Sequence, residues 1–441
     1  MASAATGNLV QYDDTWHIVG AGDEVPASAR HSQCRIDTKT SEYAEADSPN
    51  APRAWMSKSL ISFDYRVVEV PSGKLLDPSC DALIFGHLDA GSPERKAAME
   101  KPQRRLVVID ETVYGFYGEK VRAYFEARGV AHEILRLPLT EDNKSVELTL
   151  KVCEKMKKFN IDRRTEPVIA IGGGVTLDVV GLAASLFRRK TPYIRVPTTS
   201  LAYVDASVGA KNGCNFMGSK NRLGTYVPPV AALLDCSFFA TQQSREVTNS
   251  LGEMCKMAIM KSEELFKLLE ENAPRLVEGK FAAADASDTA GARVLRLSIE
   301  TMLEELAPNL WEHDLDRLVD FGHGVGQNLE MIALGTEHEL MHGEAVATDM
   351  AFMTVLSHLL GNITEEQRDR ILNLLRKCSV PVYNPMLTRE FFKEAMTDRI
   401  QNSMGMRLPL PVGIGKARMF NNVTDEQFEK TFVQWEALCK C

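Results

Sequence analysis

His338, Glu339 and His342 spell H-E-x-x-H. On a helix that spacing sets two imidazoles on one face for zinc, with the glutamate as general base of a metalloprotease. Gly335 stands shortly before the stretch and Gly343 follows it at once, which destabilises helix on both sides, and the extended H-E-x-x-H-x-x-G-x-x-H pattern is absent. A protease is therefore set aside, and His338 reads as a surface histidine or one outside the ligand set. A different ligand set is available, because five of the nine histidines lie between 313 and 358. Glu253 and Lys256 sit three apart on an expected helix, hence on one face. Such a pair is ordinarily a surface ion pair, but "SLGEMCKMAIM" surrounds it with apolar side chains and can turn both heads into a cleft. His323 opens "HGVGQNLEMIAL", and His342 precedes another apolar helix. One carboxylate and two imidazoles from three helices would form a catalytic zinc site with a position left open for substrate oxygens.

A second kind of chemistry is suggested by "PVIAIGGGVTLDVVG". An apolar strand running into Gly172-Gly173-Gly174 and then a helix brings backbone N–H groups and a helix N-terminus against a pyrophosphate. The strict G-x-G-x-x-G is broken by Leu177, so a tight strand–helix turn is an equal reading. Asp110, closing "RLVVID", suits a ribose hydroxyl or a helix cap. The segment 195–224 gathers Thr198, Thr199, Asp205, Lys211, Asn215, Lys220, Asn221 and Arg222 among small residues. The interleaved Val, Ala and Gly favour a loop folded round an anionic ligand over a merely solvated surface.

The elements that must position these groups follow from hydrophobic period. The 441 residues, 44% hydrophobic, exceed what a single core of about 250–300 residues accommodates, so two domains are expected. "RLVVID", "HEILRLP" and "PVIAIGGG" alternate with helical stretches, which implies a parallel sheet covered on both faces over 61–240. From about residue 240 the strand runs stop, and "LGEMCKMAIMKSEELFKLLEEN" and "AVATDMAFMTVLSHLLG" predict an all-α domain over 241–441. Residues 1–60 read as a polar, irregular and partly disordered extension. A formal charge of −9 argues against nucleic-acid and anionic-membrane partners. No apolar run approaches the roughly 20 residues of a spanning helix, and no targeting segment is evident, so a cytoplasmic location is expected. Nine cysteines without a C-x-x-C pair fit reduced thiols.

Taken in order, Gly-Gly-Gly with Asp178, "VPTT", "VDASVGAKNG", "KNRLGTY", "GEMCK", "FGHGVG" and "HGEAVA" resemble the dehydroquinate synthase superfamily, the sugar phosphate cyclases, over roughly residues 65–435. The resemblance implies a Rossmann-like α/β N-terminal domain, an all-α C-terminal domain, NAD+, a divalent metal (Zn2+ or Co2+), a sugar phosphate substrate and a homodimer. It implies Glu253, His323 and His342 as metal ligands. It places Asp110, Glu141, Lys144, Gly173, Gly174, Asp178, Thr198, Thr199 and Thr241 at the dinucleotide. Asp205, Lys211, Lys220, Asn221 and Lys256 fall on substrate positions, Lys211 and Lys220 also bordering the cofactor. Arg189 falls on a phosphate-binding position serving the partner subunit's site.

The departures from the family pattern are informative. Two cationic positions that hold the substrate carboxylate in dehydroquinate synthase itself read Met302 and Asp316 here, and "DRIQNSMGMRLPLPVGIG" has no lysine before Lys416. An acid repels a carboxylate and a methionine offers it no N–H donor. The implied substrate therefore lacks a carboxylate, which points to the cyclases that use sedoheptulose 7-phosphate. "APNLWEHDLDRLVDFGH" and Gln327 resemble that branch as well, and "RLPLPVGIGKARMFNNVT" looks more like the 2-epi-5-epi-valiolone synthases than the desmethyl-4-deoxygadusol synthases. Desmethyl-4-deoxygadusol synthase activity, 3-dehydroquinate synthase activity and, in a different class, an NAD-dependent metal polyol dehydrogenase are the alternatives.

Overall fold

The structure is a computed structural model describing residues 63–281 and 289–440, together with four strand segments ahead of them. Residues Met1–Asp64 and Tyr65–Cys441 form two compact units. The first holds an antiparallel sheet of β1 (Gly7–Tyr12), β2 (Thr15–Gly20), β3 (Ser32–Asp37) and β4 (Met56–Ile61). This differs from the irregular extension read from the sequence. Whether the chain between these strands is ordered lies outside the described residues.

The second unit begins with β5 (Arg66–Glu69), the short helices α1 (Ala82–Phe85) and α2 (Pro93–Met99), β6 (Arg104–Asp110), α3 (Glu111–Ala127), β7 (Ala131–Leu137) and α4 (Val146–Phe159). It continues with β8 (Val168–Gly172), α5 (Gly174–Leu186), β9 (Tyr193–Pro197), α6 (Ser200–Val204), the hairpin β10 (Lys211–Phe216) and β11 (Ser219–Tyr226), and β12 (Ala231–Leu234). Six strands make one all-parallel sheet in the order β5-β12-β9-β8-β6-β7. Alternate residues feed opposite cores: Val107, Ile109, Ile169 and Ile171 pack towards α3, whereas Leu106, Val108, Val168 and Ala170 pack towards α4 and α5. Side chains of a strand point alternately to the two faces, and crossover helices cover both, so β8 is apolar at every position and β6 through its centre, Leu106 to Ile109. The ligand-rich segment 195–224 is not one loop but a strand, a short helix and a hairpin.

The helical region comprises α7 (Ser244–Met260), α8 (Glu263–Glu278), α9 (Thr289–Leu306), α10 (Gly326–Ala333), α11 (His342–Leu359), α12 (Glu365–Lys377), α13 (Arg389–Ser403) and α14 (Asp425–Cys439). Between α13 and α14 lies a hairpin, β13 (Leu408–Gly413) with β14 (Lys416–Phe420), that the all-α expectation lacks. Helices α7 and α11 are buried along almost their whole length, including every residue from Val247 to Met260 and from Gly343 to Ser357. A helix enclosed on all sides is the axis of a bundle, and these two carry two of the three expected metal ligands. Among the described residues no helix is long and apolar enough to cross a membrane.

Candidate active site

Glu253 lies in the buried middle of α7, His323 in the turn leading into α10, and His342 at the first position of α11. One ligand atom from each falls within 4.8 Å of the others. His342 Nε2 is 3.4 Å and His323 Nε2 3.8 Å from Glu253 Oε1. The two rings stand 5.3 Å apart, centroid to centroid. In both histidines Nδ1 is engaged elsewhere. His323 Nδ1 faces Phe321 O at 3.2 Å, and because a carbonyl only accepts, that nitrogen carries the hydrogen and Nε2 presents its lone pair. His342 Nδ1 faces Glu330 Oε2 at 2.9 Å, a carboxylate–imidazole pairing of the kind that orients metal-bound histidines. A buried carboxylate and two imidazole nitrogens aimed at one point suit a divalent ion of the zinc type with a further coordination position left open. His338, by contrast, lies in an exposed turn outside any helix, so H-E-x-x-H is not a helical metal motif here.

Electrostatics tie the cluster together. Burial opposes the charge on Glu253, but Lys256 and the two imidazoles outweigh it and hold the carboxyl below the ordinary range. Lys256 forms a buried ion pair with Glu253, confirming that the i,i+3 pair faces inward. Burial and the charge on Lys256 push His323 well below the usual imidazole value. Burial also opposes charge on His342, yet Glu330 and Glu253 raise it to about 9. Asp205 sits within the same field: burial and the charge on Glu253 push its carboxyl up, against the pull of Lys256, His342 and Lys211. Burial likewise opposes charge on Glu330, but His342 and Lys220 bring it down to about 2.

The expected dinucleotide residues gather at the carboxyl ends of β6, β8 and β9, where open α/β sheets bind ligands. Gly172 is fixed by packing, since a Cβ there would lie 2.2 Å from Thr176 Oγ1. Gly173 and Gly174 open α5, and a Cβ on Gly173 would come within 3.3 Å of Thr199 Cγ2. Thr198 donates its N–H to Gly172 O and buries a hydroxyl oxygen that has no partner among the described residues, while Thr199 caps α6. A glycine cradle beside an orphaned buried hydroxyl fits a pyrophosphate-bearing ligand. Lys144 Nζ donates to Asp178 Oδ2 and to Asn221 Oδ1, each at 2.6 Å. Asn215 joins Glu141 to this group. Asp110 accepts from Thr112 N and Val113 N with one carboxylate oxygen and from Leu139 N with the other, which is the helix-cap geometry. Thr241 hydrogen-bonds with Tyr117.

The two groups are continuous. Lys220 Nζ stands 4.0 Å from Glu141 Oε1 and pairs with Glu330, Glu330 pairs with His342, and His342 faces Glu253. Glu330 was missed in the sequence because it sits in an ordinary helical stretch, and His323 lies in the turn ahead of that helix, so no helical register links the two. Arg245 was missed too. Its guanidinium grips both oxygens of Glu344 and the carbonyl of Glu339, fixing the turn that presents His342. Arg189 is not joined to the cluster by any described contact; it is exposed in the turn after α5, where Arg188, Arg189 and Lys190 all take positive φ. Met302 is buried, and Asp316 pairs with Arg407 at 2.5 Å.

Comparison with known proteins identifies the family. The 3-dehydroquinate synthase N-terminal model matches residues 134–249 and the 3-dehydroquinate synthase C-terminal model residues 250–400. A 2-epi-5-epi-valiolone synthase of Streptomyces hygroscopicus subsp. jinggangensis (strain 5008) is 44% identical over 85% of this chain and 88% of its own length. One from Actinoplanes sp. (strain ATCC 31044 / CBS 674.73 / SE50/110) is 45% identical over 80% and 85%. The solved structure of ValA, the 2-epi-5-epi-valiolone synthase of Streptomyces hygroscopicus subsp. jinggangensis 5008 with NAD+ and Zn2+ bound, superposes with a TM-score of 0.77 at 40% identity, covering 87% of this chain and all of that one. With both halves of the family matched in order across the metal cluster and the glycine cradle, the chain belongs to the dehydroquinate synthase family.

Proposed function

We propose that this protein is a sedoheptulose 7-phosphate cyclase of the 2-epi-5-epi-valiolone synthase kind, a phosphate-eliminating lyase that uses NAD+ and Zn2+ or Co2+ and works as a homodimer. The observation that carries it is the unbroken chain Lys220–Glu330–His342–Glu253, which couples the dinucleotide cradle to the three-ligand cluster, in a sequence more than 40% identical to such synthases. The net reaction expels inorganic phosphate and closes a carbocycle by intramolecular aldol addition, without net oxidation. When bound, the nicotinamide supplies transient hydride acceptance and the ion polarises the alcohol that is oxidised.

The chain's own residues do the rest. Lys211, Lys220 and Asn221, with Arg189 reaching from the other subunit, hold and neutralise the phosphate through charge-assisted bonds. Lys256, kept beside Glu253, steadies negative charge that develops on the sugar oxygens. Asp205 orients a hydroxyl, and its raised carboxyl lets it carry a proton closer to neutrality than an ordinary aspartate. Met302 and the Asp316–Arg407 pair leave no cation free at the positions where a carboxylated substrate is held.

The test is incubation of the pure protein with sedoheptulose 7-phosphate, NAD+ and zinc or cobalt, with the product identified by NMR. A cyclised product, stoichiometric phosphate and no NADH accumulation at 340 nm are expected. Steady NADH formation would instead assign a polyol dehydrogenase, and a requirement for added NADH would overturn the proposed redox cycle.

A further inference from the structure

Arg195 occupies the middle of β9, a strand buried on both faces. Its neighbours Ile194 and Val196 pack into one core and Tyr193 into the other. An arginine there stands where a parallel sheet ordinarily places an apolar side chain, and burying a guanidinium is costly unless its donors are met. No carboxylate pairs with it among the described residues. Four hydrogen bonds meet its two Nη groups instead, while Nε has no hydrogen-bond partner among the described residues. Nη1 donates to Ala206 O at 2.7 Å and Gly209 O at 2.5 Å, and Nη2 to Lys211 O at 2.8 Å and Asn212 Oδ1 at 2.8 Å.

Every acceptor belongs to one stretch, residues 206–212, which joins α6 to β10. That stretch begins directly after Asp205 and ends on Lys211 and Asn212. A planar fork with fixed donor directions holds three carbonyls and one amide in a single arrangement, which a flexible ammonium with three donors cannot reproduce. The backbone of the segment is thus wrapped round a cation inside the sheet, and its two functional side chains leave from the ends of the wrap. Asn212 is braced further by Tyr193 OH at 2.9 Å.

From this geometry we infer that Arg195 is a positioning residue for the substrate site: it fixes the 206–212 segment and thereby sets where Asp205 and Lys211 stand relative to the metal cluster. The inference rests on the proposed cyclase reading for the roles of Asp205 and Lys211, but not for the clamp itself. A purely structural arginine would, on replacement, loosen the sheet and weaken every function together. A positioning arginine would leave the metal cluster intact, because Glu253, His323 and His342 come from other segments, and would degrade use of the sugar phosphate alone.

The test compares Arg195→Gln and Arg195→Lys with the unchanged full-length holoprotein. Zinc stoichiometry, kcat and KM for sedoheptulose 7-phosphate, and amide hydrogen exchange are measured. For Arg195→Gln, kcat/KM should fall about 100-fold, the loss that misplacement by about 1 Å produces, with zinc content within about twofold; Arg195→Lys should recover about tenfold of it. Exchange should quicken in residues 205–212 and not across the helical region. A kcat/KM within about threefold of the parent, or zinc loss and faster exchange throughout, would overturn the inference. Should Arg195→Gln fail to fold, Arg195→Lys alone carries the same comparison. If the parent protein does not turn over the sugar phosphate, the cyclase reading fails, and the clamp is then judged on exchange alone: local quickening supports it, none or a global change refutes it.

Discussion

Gly252 on α7 and Gly343 on α11 meet backbone to backbone. A Cβ on Gly252 would lie 2.2 Å from Gly343 O, and one on Gly343 would lie 1.9 Å from Asn249 O. Each glycine is the immediate neighbour of a member of the three-residue cluster proposed to hold the metal, Glu253 in one case and His342 in the other. The bare crossing, pinned by Gly343 N donating to Asn249 Oδ1 at 2.6 Å, is what lets two enclosed helices bring a carboxylate and an imidazole to one point.

That contact yields the first prediction. Gly252→Ala should push the helices apart and cost about 1–3 kcal/mol of stability, as overpacking does in well-filled interiors. Purified Gly252→Ala should carry less than half the zinc of the parent by atomic emission, with a lowered Tm. Full zinc content at unchanged Tm would show that the crossing does not set the ligand geometry.

Glu330 acts through His342. Its replacement by glutamine should keep the fold while weakening zinc affinity about 10–100-fold, the usual cost of losing a carboxylate behind a ligating histidine. Competition against a zinc chelator measures this directly. Glu253→Ala removes one of the three proposed ligands outright and should abolish zinc retention in the same assay.

Proton release gives a third expectation. Without metal, His342 is an imidazolium between Glu330 and Glu253, raised from 6.5 to about 9. Metal needs the Nε2 lone pair, so binding below that value expels one proton, and apparent affinity should climb about tenfold per pH unit up to about pH 9. Calorimetry in buffers of different ionisation enthalpy counts the proton. For the stability of the metal-free protein the sign is reversed. A folded value above the unfolded one stabilises fully below pH 6.5, and that contribution is lost as pH climbs through about 9. Chemical denaturation of chelator-treated protein on either side of this window measures the difference.

Substrate choice supplies the fourth. The carboxylated 3-deoxy-heptulosonate 7-phosphate should compete with sedoheptulose 7-phosphate at least about tenfold more weakly than an uncarboxylated analogue, a difference of about 1.4 kcal/mol. Asp316→Asn removes an acid, one ion-pair partner of Arg407, from that region, so it should narrow the gap. An unchanged ratio in Asp316→Asn would remove Asp316 from the account of specificity.

Much of the architecture was legible because it rests on local period and glycine placement. The alternation in "RLVVID" and "PVIAIGGG" and the apolar spacing of "GEMCKMAIM" are fixed by burial on one side or all round. Glu253, His323 and His342 were readable as a set because ordered motifs carried them. Arg245 and the Lys220 contact of Glu330 were not, since Glu344 and Lys220 stand 99 and 110 positions away. Arg195 was not, because its four acceptors, though only 11 to 17 positions on, include three backbone carbonyls without a side-chain signature. The hairpin β13–β14 was hidden by Pro409 and Pro411, which argue against strand where the pairing is confined to two strands and tolerates them. The strands β1–β4 escaped because short alternating runs such as "NLVQY" and "TWHIV" are diluted by polar stretches between them.

The bridge formed by Lys220, Glu330 and His342 has a bearing on how the protein must be assayed. On the proposed function, dinucleotide and metal would lean on this one set of charges; ligands so placed are thermodynamically linked, and each must alter the other's affinity by an identical factor. A dissociation constant for dinucleotide obtained on chelator-stripped material therefore describes a different species from the loaded enzyme. The ratio of the two values is itself a readout of how strongly the bridge transmits.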